Sequence, residues 1–284
     1  LIFLLIIVFN YLISFNSGEF NFEYIKLNKP NLLNLNYLTN FTAGLTFFIA
    51  VAATNLFHQG NWQRVYAAKS NKVLKKSLII SFLIIIPIVF FMGFSGLVAI
   101  SADSNLIPDL AFFTLLFKEK VWILSIIVIL LSVSLTVSSI DTLINAISSL
   151  IVVDGNKLTN FKGDYLKLSK YLIIILSIIA IYFASKGLSV LYLFLLADLL
   201  CCSAVLTIFY SFYSKKITEK SAYISILFGL VGGLLLFPFP DFSKSIIIGI
   251  LFPISNFPVF LSQSLLFLSF LIATFFPILT WKIK

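Results

Sequence analysis

The stretch TVSSIDTLINAISS, residues 136–149, places hydroxyls, an amide and a carboxylate between flanks of Val, Ile and Leu. On a helix, Ser138 lies three residues before Asp141 and four before Thr142, so the three side chains share a face. An ionisable residue inside a membrane is costly and is by default a candidate functional site. Neutral oxygens suit a hard cation such as sodium, but hydroxyls in membrane helices also bond to the preceding turn or allow close packing. The chemistry alone leaves a cation site and polar packing both open.

The composition indicates where this stretch resides. Of the 284 residues, 60% are hydrophobic and 11% are charged, and the mean hydropathy is +1.09. Soluble domains are roughly half apolar and roughly a quarter charged, so we expect membrane lipid to be the solvent of this chain. The net charge is +9, but its basic residues are not clustered with aromatic residues, which argues against a nucleic-acid partner. The adjacent pair Cys201 and Cys202 has no metal-ligand spacing and is poorly placed for a structural disulfide.

The apolar runs predict eight membrane spans in a single transmembrane domain, 1–284. A full crossing needs about 20 residues, so the first run is too short, and we expect the chain to begin inside a truncated helix. No linker is long enough for a soluble domain. The predicted spans are 1–15, 41–57, 77–101, 121–150, 168–185, 188–213, 221–237 and 259–281.

Positive charge alternates between successive links and predicts the orientation. Cytoplasmic links of membrane proteins carry an excess of Lys and Arg. The richer links lie within 61–76, 154–170 and 214–220 and at the C-terminus. We therefore expect a multi-pass protein of the plasma membrane, or bacterial inner membrane, with a cytoplasmic C-terminus. The spans 41–57 and 121–150 then run inward, which places the opening polar stretch in the inner half of the membrane.

Two segments resemble a known family. SSIDTLI (138–144) resembles the Ser-Ser/Thr-x-Asp-Ser/Thr-x-Leu signature of the sodium:solute symporter family, and IVVDG (151–155) is similar to the family's ending of the same helix. NWQRVYAAKS (61–70) resembles the family's Gln-Arg-x-x-Ala-Ala-Lys segment after an earlier helix. The order of these segments and the gap between them also fit, and the resemblance runs across essentially the whole chain.

The resemblance implies an all-α integral membrane protein with the inverted-repeat fold of sodium-coupled transporters. Residues 1–15 would be the end of the first repeat, and about 41–213 would be the second five-helix repeat. The spans 221–237 and 259–281 would be peripheral. The remaining N-terminal half of the same transporter would precede Leu1 and would be an intramolecular partner of this chain.

The resemblance also implies half of a sodium site. The family's principal site uses two adjacent hydroxyls, which fall here at Ser138 and Ser139, and a carbonyl one turn earlier, at Leu135. Its other ligands come from the first core helix, which the resemblance places before Leu1. Asp141 matches the signature and would either contact the ion or orient the hydroxyls. Sodium would be the coupling ion.

The solute side follows from the same mapping. The helix 41–57 would face the solute, with Thr46, Thr54 and Asn55 as its polar contacts. A second intramembrane carboxylate, Asp198, is a candidate pathway residue, with a structural role toward a neighbouring helix as the alternative.

The solute class is indicated by two further segments. HQGNWQ (58–63) resembles the Asp-Gln-x-x-Trp-Gln segment of the urea-transporting branch, with His58 in place of its Asp; a plain helix-end residue is the alternative interpretation of His58. YLFLLADLLCCSAVL (192–206) is similar to a helix of the same branch. Urea is thus favoured, and amino acids such as proline and small carboxylates stay open.

The function we expect is sodium-coupled secondary active uptake of a small polar solute by alternating access. A proton-coupled symporter, with Asp141 or Asp198 as the titrating group, is the first alternative, and a transporter-derived sensor is the second. An enzyme is not expected, since one His and scattered carboxylates supply no convergent catalytic set. A channel would need a selectivity-filter loop, which the sequence does not display.

Overall fold

The computed structural model describes residues 22–34, 36–102, 110–111, 113, 122–158, 163–214, 217–242, 244–251 and 259–281. These residues form helices and no β-strand; an isolated antiparallel bridge joins Pro238 and Ser245. In chain order the helices are α1 (Phe22–Asn28), α2 (Pro30–Leu33), α3 (Leu38–Phe57), α4 (Gln59–Tyr66), α5 (Asn71–Ala102), α6 (Trp122–Ser149), which continues through a π-helical turn (Leu150–Asp154) into α7 (Gly155–Leu158), then α8 (Tyr165–Ser185), α9 (Val190–Ser211), α10 (Glu219–Leu236), α11 (Ile246–Leu251), α12 (Val259–Phe275) and α13 (Pro277–Thr280).

Six of these helices are long and apolar enough to cross a membrane: α3, α5, α6 with its π turn, α8, α9 and α10. They coincide with six of the eight predicted spans. The all-α class is confirmed, and the six helices are consistent with a multi-pass membrane protein. The predicted span 1–15 lies outside the described residues. The predicted span 259–281 is the 17-residue helix α12 followed by the short α13.

Three helices begin before their apolar runs because a polar residue caps each N-terminus. The hydroxyl of Ser70, the carboxylate of Asp164 and the hydroxyl of Thr218 each accept a backbone N–H of the first turn, at 3.3, 2.9 and 3.2 Å. Such a cap is worth about 1 kcal/mol. The helices α5, α8 and α10 therefore start at Asn71, Tyr165 and Glu219, ahead of the starts at 77, 168 and 221 that hydropathy predicts.

The helices form two compact units. The first contains α1, α2 and α4–α8. In it, α4 contacts α6 through a hydrogen bond from Gln63 Nε2 to Ser149 Oγ of 2.7 Å. The helix α6 contacts α8 through the hydroxyls of Ser148 and Ser169, which lie 3.2 Å apart. The Gln63–Ser149 bond ties the segment 61–70 to the end of α6, between the segments 138–144 and 151–155.

The second unit contains α3 and α9–α13, and α9 packs against α3, α10 and α12. Its core combines small and large apolar side chains: Ala50, Ala53, Leu195, Leu199, Cys202, Phe237, Phe270 and Ala273. The two alanines of α3 leave room for Leu195 and Leu199 of α9. This close approach sets the register between α3 and α9, on which the site depends.

Glycines let α10 and α12 approach each other. A Cβ on Gly229 would lie 2.7 Å from the carbonyl oxygen of Ala273, and a Cβ on Gly233 would lie 2.8 Å from the Cβ of Ala273. The hydroxyl of Ser269 donates to the carbonyl of Gly233 at 2.9 Å. Helices in lipid associate through such small-residue packing and interhelical hydrogen bonds, because lipid tails are as apolar as the side chains.

Candidate functional site

A buried carboxylate lies in the middle of α9. Asp198 is 0% exposed, and the Thr54 hydroxyl of α3 donates to its Oδ1 atom. Its Oδ2 atom is also buried but has no hydrogen-bond partner among the described residues. A buried carboxylate is costly unless both of its oxygens are compensated. One oxygen of Asp198 is therefore available to a further donor.

The Thr54–Asp198 pair is held in place by packing from both α3 and α9. Ala50 and Ala53 pack on the α3 side, and Leu199 follows Asp198 on α9; all three are buried. The Cys202 thiol faces the carbonyl of Ile49 at 3.8 Å, a weak contact one turn along α9. The thiols of Cys201 and Cys202 also lie near the Thr54–Asp198 pair, and Thr54 is the hydrogen-bond donor to Asp198 among the described residues.

The charge of Asp198 has no counter-ion within the described part of the chain. The ion pair found there joins Lys157 to Asp154, at 3.8 Å, in the first unit. The open Oδ2 atom can be satisfied in three ways: by a proton, by a cation, or by an N–H or O–H group of a bound solute.

His58 is the C-cap of α3, so it is a helix-end residue. Its backbone N–H donates to the carbonyl of Asn55 at 3.4 Å. Its Nδ1 atom is buried without a hydrogen-bond partner among the described residues. His58 follows Thr54 by four residues, about 6 Å along the helix axis.

Of the four residues predicted to bind solute, the structure brings two together. Thr54 and Asp198 form the hydrogen-bonded pair. Asn55 is exposed and donates its Nδ2 to the carbonyl of Val51 at 2.8 Å. Thr46 is fully buried and donates to the carbonyl of Thr42 at 2.7 Å. Thr46 precedes Thr54 by two turns, about 12 Å along α3, so it belongs to a different level of the helix.

The residues predicted to bind sodium all lie on α6, in the first unit. The Ser139 hydroxyl donates to the Leu135 carbonyl at 2.9 Å, and the Thr142 hydroxyl donates to the Ser138 carbonyl, also at 2.9 Å. Ser138, Ser139 and Asp141 are exposed within the chain.

Hydroxyl and carbonyl oxygens are the ligand type that a hard cation such as sodium takes. Two neutral, hard oxygens, Ser139 Oγ and Leu135 O, already lie side by side, and the hydroxyl hydrogen can rotate away to leave both facing a cation. Among the described residues no cluster of three or more His, Cys, Asp or Glu exists. Such clusters are ligands of other metals and are not what sodium requires.

Thr39 and Thr42, which line a cavity beside the N-terminal half of α3 together with Thr46, are absent from the sequence prediction. They lie with Thr46 at spacings of three and four residues, on one face of α3. That spacing is the sequence signal for these residues. It is weak, because threonine is common in membrane helices and its hydroxyl often bonds to a carbonyl of its own helix.

Comparison of the chain with models of known protein families, with curated proteins and with solved structures found no match.

Proposed function

We propose that this chain belongs to a secondary transporter that couples uptake of a small polar solute to the inward movement of sodium. The observation that supports this most is the Thr54–Asp198 pair. Two helices of membrane-spanning length hold a buried carboxylate, and one of its oxygens has no partner among the described residues. An intramembrane carboxylate of this kind is characteristic of substrate and ion pathways.

The unpartnered oxygen supports a binding role for Asp198 over a purely structural one. A carboxylate that only holds two helices together gains most when both of its oxygens accept hydrogen bonds. Within the described part of the chain, Asp198 accepts a hydrogen bond from Thr54 at one of its two oxygens. A solute that brings an N–H donor to Oδ2 gives both carboxylate oxygens a hydrogen bond. When the solute leaves, Oδ2 is again buried without a partner. Asp198 therefore binds the solute, and Thr54 positions the carboxylate.

Sodium is assigned to α6. Ser138 and Ser139 supply hydroxyl oxygens and Leu135 supplies a carbonyl, while Asp141 adds negative charge on the same helix. Sodium binding to these groups favours the state that accepts solute from outside. Alternating access then carries both inward, since a ligand shifts the equilibrium toward the state to which it binds more tightly.

Proton coupling is the second candidate, and one observation favours it. Asp198 has no cationic partner in the described residues, so a proton on Oδ2 would neutralise the buried charge. In that case uptake would follow a pH gradient and would not depend on sodium.

Uptake by the full-length protein in proteoliposomes tests the proposal. Labelled urea, proline and acetate are offered with an inward sodium gradient, an inward proton gradient, or neither. We expect sodium-driven accumulation of at least one solute, which Asp198→Asn abolishes. Glu219→Gln, which changes an exposed carboxylate of the same unit, should leave uptake intact. Equal accumulation under all three conditions would contradict coupled transport, and accumulation with the proton gradient alone would favour the second candidate.

A further inference from the structure

The second unit contains a cavity of about 260 Å³ at the N-terminal half of α3. Ligand pockets for drug-sized molecules range from roughly 300 to 1,000 Å³, so this cavity fits a smaller molecule. One wall is the face of α3 that carries Thr39, Thr42 and Thr46. Neither Asp198 nor Thr54 lines the cavity.

The α3 wall presents oxygen acceptors. The Thr42 hydroxyl donates to the carbonyls of Leu38 and Thr39, at 3.1 and 3.2 Å, and the Thr46 hydroxyl donates to the carbonyl of Thr42. Their hydrogens are occupied, while lone pairs of both oxygens stay available. The Oγ1 atom of Thr39 is buried and has no partner among the described residues. A ligand with N–H or O–H donors would satisfy these oxygens.

The opposite wall is apolar. It consists of Leu265, Leu266 and Phe267 of α12 and of Pro238 and Phe242, which follow α10. No charged side chain lines the cavity among the described residues. An ion entering it would lose hydration without gaining a counter-charge, so the walls favour an uncharged molecule over an anion or a cation of the same size.

Phe242 is held in a strained backbone conformation at this wall. Its φ of +56° lies in the left-handed region, where a bulky residue is rare. Its N–H donates to the carbonyl of Phe239 at 2.8 Å, and its ring packs edge-on against Tyr192 with centroids 5.8 Å apart. Strain of this kind persists where the surroundings impose it and concentrates at ligand sites. The turn thus keeps an aromatic ring at the cavity.

We propose that this cavity binds a small neutral solute that carries N–H or O–H donors, of the amide type, at a level of α3 separate from Asp198. The inference rests on the proposed function and narrows its solute to uncharged molecules. Thr46 and Thr54 lie on the same broad face of α3, with the buried Ala50 between them. A solute that leaves the three threonines would therefore find its next hydrogen-bond acceptor, Asp198, beside Thr54, about 12 Å along the helix axis from Thr46.

Protection of an introduced cysteine tests the cavity without measuring transport. Thr42→Cys in the full-length protein is treated with methyl methanethiosulfonate, and modification at position 42 is quantified by peptide mass spectrometry, which separates it from Cys201 and Cys202. Three probes of nearly equal size compete: propionamide, propionate and propylammonium. We expect propionamide at roughly ten times its Kd to slow labelling about tenfold, and the two ions to have no effect.

Two matched variants localise the effect. Ala43→Leu fills the cavity and should remove propionamide protection, whereas Ala52→Leu, on an exposed position of the same helix, should leave it unchanged. Thr46→Cys serves as a second reporter should Thr42→Cys fail to fold. Protection by propionate equal to that by propionamide, or no protection by propionamide at either reporter, would overturn the inference. Labelling needs no ion gradient, so the two proposals can fail separately. Absence of protection with coupled uptake intact refutes solute binding in the cavity alone. Protection without coupled uptake refutes the proposed function.

Discussion

Thr54 of α3 donates its hydroxyl to Asp198 of α9 across a sequence separation of 144 residues. The bond satisfies one oxygen of a fully buried carboxylate and leaves the other without a partner among the described residues. It also links two helices of membrane-spanning length inside one packed unit. We therefore expect Thr54 to contribute both to the stability of the α3–α9 contact and to the position of Asp198 for solute binding, and substitutions can separate these two effects.

The first prediction concerns the donor. Thr54→Val keeps the shape of the side chain but removes the hydroxyl, so neither carboxylate oxygen of Asp198 retains a donor among the described residues. We expect a loss of about 1 kcal/mol in stability, typical of interhelical hydrogen bonds in membranes, and a higher KM for solute because Asp198 is no longer positioned. Thr54→Ser retains the donor and should behave like the parent. Thermal melting in detergent and uptake kinetics check both effects, and identical behaviour of the Val and Ser variants would contradict the positioning role.

The second prediction concerns sodium. Ser139→Ala removes one proposed ligand while preserving helix propensity, so the sodium concentration for half-maximal uptake should rise with expression intact. Ser134→Ala is the matched control, because the Ser134 hydroxyl likewise bonds back along α6, to the Leu130 carbonyl at 2.8 Å. Asp141→Asn should weaken coupling if the charge is required. Sodium titration of uptake measures all three variants, and an unchanged sodium dependence in both Ser139→Ala and Asp141→Asn would refute the site on α6.

The third prediction concerns packing. Gly233→Leu forces a side chain into the contact with Ala273, where a Cβ alone would already lie 2.8 Å away. Overpacking of this kind costs roughly 1–3 kcal/mol or more, and we expect α10 and α12 to separate. Gly93→Ala on α5, where a Cβ meets nothing within 4 Å, should be neutral or slightly stabilising. Gly233→Leu should therefore lower the melting temperature, whereas Gly93→Ala should leave it unchanged or raise it slightly. Equal melting temperatures of the two variants would show that the glycine contact is unimportant.

The fourth prediction concerns orientation. Lysine alternation predicts a cytoplasmic link at 61–76 and an external one around α1. In intact cells, a membrane-impermeant thiol reagent should label Asn28→Cys and miss Lys72→Cys, and should reach both after permeabilisation. Labelling of Lys72→Cys alone before permeabilisation would reverse the predicted topology.

The sequence predicts different parts of this molecule unequally well. Hydropathy locates the six long helices because each is a continuous apolar run, but it misses the polar first turns that Ser70 and Asp164 cap. It marks Asp198 because a carboxylate stands out against Leu and Val. The partnership with Thr54 is not visible, since contacts between helices distant in sequence depend on which faces pack.

The same limit applies to small residues. Gly229 and Gly233 are recognisable as a GxxxG spacing once the partner helix α12 is known. The cavity beside Thr39 and Thr42 depends on where Phe242 and α12 come to lie, and no local pattern predicts that. The predicted sodium ligands form a compact set on one helix, α6, because residues three and four apart share a helix face.

Solute-driven sodium entry is the measurement that tests the central claim most directly. Proteoliposomes with equal sodium on both sides receive radioactive sodium and labelled solute from outside, and sodium entry is compared with and without the solute. Coupling is reciprocal, so an inward solute gradient should drive sodium inward even though the sodium concentrations inside and outside are equal. We predict solute-dependent sodium entry that is lost in Asp198→Asn and retained in Glu219→Gln. Sodium entry that is the same with and without every solute taken up would contradict sodium-coupled transport by this protein.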